Sequence, residues 1–317
     1  MQAVILAAGK GSRLQPITNT RSKAMLPVLG KPIVEHILEN LAATGIRDFI
    51  LVVSPEDRAI REHFQRGSTL GINIHFVHQD RRLGTADALK QAAPYLKEDF
   101  VLSACDILVS AEDVKRLITT WLQPPRSGGL LSLERISLMD TWKTGIVTLE
   151  GDQVTGIIEK PPPDQAPTNI SSTPLYCFST CILDYLPQVP ISPRGEYELQ
   201  DAIQMMIDEG ENVRGLYLES RLTLTTPEDL LKINLHFLKN KAEDCQIDAQ
   251  EIDPGTNLLQ PVCIEQGVVI GSDCKIGPNV YIEKNARIGD SVQLENVVVL
   301  RGAGIREGII LRDQVIV

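Results

Sequence analysis

The chain has 317 residues, of which 43% are hydrophobic and 23% charged, a globular composition that suffices for one large domain and a second element. Its net charge of −10 and isoelectric point near 5.1 exclude a general nucleic-acid binder, because backbone-phosphate affinity needs many Lys and Arg contacts. No apolar run approaches the roughly 20 residues of a membrane span, and Met1 leads into a strand-like run without a signal-peptide pattern, so a cytoplasmic protein with no membrane partner is expected.

Up to about residue 240, short apolar runs alternate with helical periodicity. Ala3–Ala8, Phe49–Ser54, Ile72–Val77 and Phe100–Ala104 are apolar at both alternate and adjacent positions, the pattern of strands buried on both faces. A helix is predicted after Pro32, with Ile33, Val34, Ile37, Leu38 and Leu41 on one face and Gly45 closing it. Such alternation predicts an α/β fold, a Rossmann-like, mostly parallel sheet with helices on both faces. Ligands of such sheets collect outside the carboxyl ends of the strands, which places Gly9, Gln79 and Asp106 along one edge. Gly145–Lys160 reads as a hairpin turning at Gly151-Asp152, and further helices are predicted from about Tyr197 to Glu209 and from Pro227 to Lys239.

From Ile252 the period changes, and an aliphatic residue recurs at every sixth position: Ile252, Leu258, Ile264, Ile270, Ile276, Ile282, Ile288, Leu294, Leu300. Six residues turn an α-helix by about 600°, which would scatter these side chains, so a stack of short strands is required. A second row of small residues (Val262, Val268, Cys274, Val280, Ala286, Val292) and turns at Gly271, Gly277 and Gly289 complete the hexapeptide pattern of a parallel β-helix. Three hexapeptides per coil would give about four coils, a packing and oligomerisation element whose C-terminal edge is capped or paired to another subunit. The domains are therefore 1–243 and 244–317. The cysteines (Cys105, Cys177, Cys181, Cys245, Cys263, Cys274) form no C-x-x-C pair, so neither a zinc site nor a disulfide framework is expected, and all six read as small buried thiols.

In this acidic chain the first 34 residues hold Lys10, Arg13, Arg21, Lys23 and Lys31 and no acid before Glu35. A local cationic stretch of this kind points to an anionic ligand held at one place. A strand, then Gly9-Lys10-Gly11-Ser12-Arg13, then basic residues and a helix is a phosphate-site arrangement, in which glycines let backbone N–H groups approach oxygens. The dinucleotide fingerprint would need a third glycine where Leu14 stands, and the P-loop pattern is absent.

The stretch LAAGKGSRLQPITNTRSKAMLPVLGKPIVEHIL resembles the signature of sugar-1-phosphate nucleotidyltransferases. LGTADAL (Leu83–Leu89), Asp106, Thr144-Gly145, Glu159–Pro161, ELQDAI (Glu198–Ile203) and TPEDLL (Thr226–Leu231) then follow in that family's order. With the repeat tail, which in such proteins is a left-handed β-helix, the resemblance covers nearly the whole chain. It implies a nucleoside triphosphate and a sugar 1-phosphate as substrates, a nucleotide sugar and pyrophosphate as products, and Mg²⁺ as cofactor. By matching position it makes Arg13 the group on the leaving pyrophosphate and Lys23 the grip on phosphate oxygens. Leu6, Ala8, Gly9, Gly11 and Ser12 would meet the nucleotide, Gln79, Gly84 and Thr85 its base, and Asp106 the Mg²⁺. Gly145, Glu159 and Lys160 would bind the sugar and its phosphate.

Several positions depart from that pattern: Thr223 stands where a second metal carboxylate is usual, Cys105 for a glycine, Ala24 for a proline, and Ser172-Thr173-Pro174-Leu175-Tyr176 replaces the sugar loop N-x-G-x-Y. Two functions of different class are thus open. One is an active Mg²⁺-dependent transferase of the glucose-1-phosphate uridylyl or thymidylyl, or mannose-1-phosphate guanylyl, type. The other is a catalytically silent nucleotide-sugar-binding paralogue. A third, acetyl transfer by the tail, lacks a histidine base, since all five histidines precede the repeat.

Overall fold

In a computed structural model, which describes residues 1–65, 71–124, 127–240 and 245–317, the opening apolar run forms a strand, β1 (Gln2–Leu6), inside a nine-stranded sheet. The other eight are β2 (Asp48–Val53), β3 (Asn73–His78), β4 (Phe100–Ala104), β5 (Gly129–Arg135), β6 (Gly145–Glu150), β7 (Gln153–Glu159), β8 (Ile170–Phe178) and β9 (Val213–Tyr217). Their spatial order is β3-β2-β1-β4-β8-β5-β9-β7-β6. β3, β2, β1 and β4 are mutually parallel, as the apolar runs predict, and β5 and β9 pair in parallel. β8 runs antiparallel to β4 and β5, and β7 antiparallel to β9 and β6.

The outer strand β3 differs from the prediction. It occupies the sheet edge and buries only Val77, whose neighbours are half-buried, while Asn73 and His75 face solvent, because an edge strand has a neighbour on one side only. The hairpin β6–β7 turns at Gly151, whose φ of +65° suits the turn. Helix α1 (Ile33–Ala42) follows Pro32 and buries Ile33, Val34, Ile37, Leu38 and Leu41, with Gly45 at φ +96° beyond its end. Helices α2 (Arg58–Gln65), α3 (Thr85–Ala92), α4 (Ala111–Leu122) and α5 (Leu199–Asp208) each bury one stripe. The core gathers Leu89, Ile203 and the rings of Phe100, Tyr176 and Phe178, with ring centroids 6.0 and 5.7 Å apart.

Residue packing divides the chain into two units, Met1–Gly9 with His36–Arg221 and Lys10–Glu35 with Leu222–Val317; the domain boundary expected at 243/244 lies outside the described residues. The second unit contains the repeat tail. Its strands pair in parallel with partners 18 residues on, Glu251 to Val269, Asn257 to Lys275 and Val262 to Val280, which is three hexapeptides per coil and a parallel β-helix of four levels. Both predicted rows form its interior as far as Leu294.

Beyond Leu294 the expected row shifts. Val280 pairs with Val297 and Ile282 with Val299, so the coil is one residue shorter: Glu295-Asn296 turn the corner that Gly277-Pro278-Asn279 turn one level below. Val299 therefore takes the place predicted for Leu300, and the row continues through Ile305. Of the cysteines, Cys105, Cys177, Cys263 and Cys274 are buried as expected, whereas Cys181, at the turn entering Ile182–Tyr185, and Cys245 are only half-buried.

One wall of the β-helix is unlike the others. Outward positions elsewhere include the exposed charged residues Glu251, Lys275 and Arg287, whereas the outward-facing Cys263, Tyr281 and Val298 are all buried. Helix α6 (Pro227–Asn240) packs against this wall, and the segment Lys10–Glu35 is tied to the same wall. That segment consists of three 3₁₀ turns at Ser12–Leu14, Ile17–Asn19 and Lys23–Met25, followed by a two-stranded hairpin, Pro27–Val28 with Lys31–Pro32.

Candidate active site

In the first unit the carboxyl ends of the parallel strands carry the residues predicted there. Gly9 lies past β1, Gln79 past β3 and Asp106 past β4. Leu6 ends β1 and its carbonyl accepts from the Cys105 N–H at 3.2 Å, so the departure at Cys105 is a buried packing position. Gly9 is exposed and open space lies where a side chain would stand, leaving its backbone approachable.

Gln79 is 5% exposed, and both protons of its amide are engaged, with the Gly84 carbonyl at 3.0 Å and an Asp87 carboxylate oxygen at 2.8 Å. Two acceptors on the nitrogen fix the amide's orientation and leave the carbonyl oxygen to accept. Gly84, at φ +105°, lies against Tyr197, whose carbonyl would be 2.4 Å from any Cβ placed there. The same stretch is joined to Tyr197 by Tyr197 N–H to the Leu83 carbonyl (2.7 Å) and Ala86 N–H to the Tyr197 carbonyl (3.0 Å). The Thr85 hydroxyl accepts from the Leu199 N–H at 3.1 Å, satisfying an open donor at the start of α5.

The residues expected at the sugar converge. Glu159 and Gly145 pair across the β6–β7 ladder, and a Cβ on Gly145 would stand 2.9 Å from the Ser172 hydroxyl and 3.2 Å from a Glu159 oxygen. One Glu159 oxygen meets the Lys160 ammonium at 2.8 Å and Arg194 at 3.7 Å, while the other is buried without a partner. Burial raises the Glu159 pKa above its ordinary 4.5, against the opposing pull of Lys160. Pro174 falls where the β8–β5 register shifts, between Thr173 and Tyr176, a bulge that tolerates a missing N–H.

The sequence reading missed two cations in this unit. Arg82 donates from Nε to the Ala8 carbonyl at 3.0 Å and from a guanidinium nitrogen to the Ser54 hydroxyl at 3.2 Å. Arg194 bridges Glu159 to Glu198, which it meets at 2.7 Å. Arg194 stands four residues before the matched ELQDAI, so its only signal was nearness to a motif; Arg82 offered none beyond lying next to LGTADAL.

In the second unit Gly11 adopts φ +63°, and a Cβ there would be 3.1 Å from Thr18 and 3.2 Å from the Lys23 Cβ, so the glycine loop closes directly on Lys23. Ser12 and Arg13 lie on the exposed side of the first 3₁₀ turn, Lys10 and Lys31 are exposed, and Lys23 is half-buried. Arg21 is engaged within the second unit rather than open to an anion. Its guanidinium makes two bonds, 2.7 and 2.9 Å, to the Glu283 carboxylate of the β-helix, and the two side chains are 12% and 4% exposed. Thr223 ends the short strand Arg221–Thr223.

Mg²⁺ commonly takes one or two carboxylates and completes its shell with substrate phosphates and water. Asp106, just past the carboxyl end of β4, offers one carboxylate of the kind this mode uses.

Comparison with known proteins agrees with the signature. Residues 2–266 match the nucleotidyl transferase family and residues 258–317 the GMPPB C-terminal domain. The chain belongs to the nucleotidyl transferase family. It is 33% identical to the UTP–glucose-1-phosphate uridylyltransferase AglF of Haloferax volcanii over 234 residues, 72% of this chain and 93% of that protein. Against a glucose-1-phosphate thymidylyltransferase of Streptomyces griseus it is 28% identical, over 96% of this chain and 88% of the relative. Among solved structures, a UDP-glucose pyrophosphorylase complexed with UDP-glucose superposes with a TM-score of 0.69 at 20% identity, covering 75% of this chain and 98% of the other, a likeness of fold. Among the described residues, no helix is long and apolar enough to cross a membrane.

Proposed function

We propose that this protein transfers a nucleotidyl group from a nucleoside triphosphate to a sugar 1-phosphate, with release of pyrophosphate. The observation that carries the reading is the buried, half-partnered Glu159 beside Gly145, flanked by Lys160 and Arg194. A desolvated carboxylate oxygen without a donor suits a sugar hydroxyl, and the two adjacent cations suit the sugar's phosphate. A phosphate oxygen of the sugar 1-phosphate attacks the α-phosphorus in line, so the protein's work is positioning and charge stabilisation, without a covalent intermediate.

In this reading Arg13 stabilises the departing pyrophosphate and Lys23 holds phosphate oxygens about the reacting centre. Leu6, Ala8, Gly9, Gly11 and Ser12 present backbone to the nucleotide. Asp106 holds Mg²⁺, which when bound neutralises charge on the triphosphate. Gly84 and Thr85 border the base, and the Gln79 carbonyl oxygen accepts from its ring N–H. That requirement favours uracil, thymine or guanine, which carry such a proton, over cytosine and adenine. Association of two or more copies through the β-helix and a cytoplasmic location, where triphosphates and sugar phosphates are at hand, accord with this chemistry.

The test incubates the purified protein with UTP, dTTP, GTP, CTP and ATP against a panel of hexose 1-phosphates and Mg²⁺. Pyrophosphate release with a base carrying a ring N–H supports the proposal. Nucleotide-sugar binding without release from any pair overturns it in favour of the silent paralogue, a reading that Thr223 in place of a carboxylate motivates.

A further inference from the structure

Three buried polar side chains of the second unit, Asn234, Tyr281 and Glu283, converge on the segment Lys10–Glu35. Asn234 of α6 is fully buried; its carbonyl oxygen accepts from the Leu29 N–H at 3.1 Å and its amide donates to the Pro27 carbonyl at 3.1 Å. The Tyr281 hydroxyl accepts from the Gly30 N–H at 3.2 Å while donating to Glu265, whose other oxygen accepts from the Lys284 N–H at 3.3 Å. Glu283 takes both bonds of Arg21, and its second set of partners is the Arg301 N–H at 2.8 Å and the Arg301 guanidinium at 3.4 Å.

The anchored backbone includes the turn between the two short strands. Leu29 and Gly30 form the hairpin turn at φ +42° and +84°, and a leucine with positive φ is strained unless its surroundings fix it. A carboxylate as buried as Glu283 is expensive without charge-assisted partners, and the bidentate guanidinium supplies both charge and direction. On this wall Cys263, Val298 and Leu300 are apolar, while Tyr281, Glu283 and the adjacent Glu265 are polar and each is engaged, Tyr281 and Glu283 with the segment Lys10–Glu35 and Glu265 with Tyr281. Burial foremost, then the Glu265 and Glu283 charges, keep Tyr281 a phenol able to donate and accept at once.

We propose that Glu283, with Tyr281 and Asn234, are positioning residues for nucleotidyl transfer: the β-helix sets the geometry of the loop that carries Arg13 and Lys23, acting through Arg21 and the Leu29-Gly30 turn. This rests on the roles proposed above for Arg13 and Lys23. Arg21 is thereby withdrawn from the anion-binding cations and assigned to the support of the others.

The experiment compares full-length wild type, Glu283→Gln and Tyr281→Phe by steady-state kinetics and by backbone amide exchange. A misplacement on the order of 1 Å costs up to about 10²-fold, so Glu283→Gln is expected to lower kcat by about 10- to 100-fold while KM for the sugar 1-phosphate changes less than about twofold. Tyr281→Phe, which removes one oxygen and keeps the ring, is expected to lower kcat by about fivefold, the worth of one hydrogen bond. In both, amides of residues 11–32 exchange faster while the inward rows of the β-helix between Val262 and Ile305 are unchanged, which general destabilisation of the β-helix would not produce; the loss in kcat at nearly constant KM is what a merely structural role would not move. Unaltered exchange in 11–32, or kcat per folded molecule within about twofold of wild type in both variants, overturns the proposal. If Glu283→Gln does not fold, Tyr281→Phe decides. If the wild type is inactive with every substrate pair, the functional reading falls, and amide exchange alone judges the anchoring.

Discussion

The sugar-side cluster and the cationic loop hold their functional groups in opposite ways. Gly145, Glu159 and Lys160 sit on one hairpin, where the ladder pairs Glu159 with Gly145 and regular β-structure does the placing. From Lys10 to Pro32 the segment is made of single 3₁₀ turns and a hairpin of two-residue strands, and its side-chain anchors lie 200 or more positions away, at Asn234, Tyr281 and Glu283. A group on a ladder tolerates change in its surroundings; a group on an irregular loop is only as well placed as its anchors.

The largest expected effect breaks the loop from within. Gly11→Val adds a branched side chain at positive φ against Thr18 and Lys23, and should abolish pyrophosphate release, by more than about 10³-fold in kcat/KM. Arg13→Ala leaves the fold alone, since the side chain is exposed, and should lower kcat by about 10²–10³ in the same assay.

Gln79→Leu tests the strand-end side: the wild type is expected to prefer UTP, dTTP or GTP over CTP and ATP by about 10²-fold in kcat/KM, and the variant to lose most of that preference. Glu159 adds a pH signature. Its folded pKa is raised, so as pH falls through that raised value the carboxylate is protonated and the acceptor for a sugar hydroxyl is lost. Sugar-phosphate kcat/KM should therefore fall on the acid side at a pH above the ordinary 4.5, and Glu159→Gln should flatten that limb. The stability linkage has the opposite sense, its contribution being present below the unfolded value near 4.5 and lost as pH rises through the folded one. The smallest effect belongs to Arg82→Ala, a few-fold rise in KM for the triphosphate at about 1 kcal/mol, because its side chain is 42% exposed.

What could be read from the sequence follows the same division. Strands β1, β2 and β4, helices α1 and α6, the β6–β7 hairpin and the coil period all lie within a residue or two of prediction, because each rests on a local period. β3 gave an apolar run but not its edge position, which pairing order alone determines. Leu300 was misplaced because a one-residue contraction at Glu295-Asn296 leaves the aliphatic spacing nearly intact. Arg21 looked like its neighbours Arg13 and Lys23, and nothing local distinguishes a cation whose partner is 262 residues away. Arg82 and Arg194 escaped because their partners, a carbonyl and two carboxylates, are assembled only by the fold.

Tyr197 joins matters that a reaction scheme would list separately. Its backbone is stitched to Leu83 and Ala86, on the stretch that borders Gln79, and it lies between Arg194 and Glu198, which bear on Glu159. On the proposed roles, choice of nucleobase and choice of sugar share one strip of peptide. Redesigning either preference by grafting Leu83–Ala86 alone would disturb the other, so an exchange of specificity requires moving both strips as a matched pair.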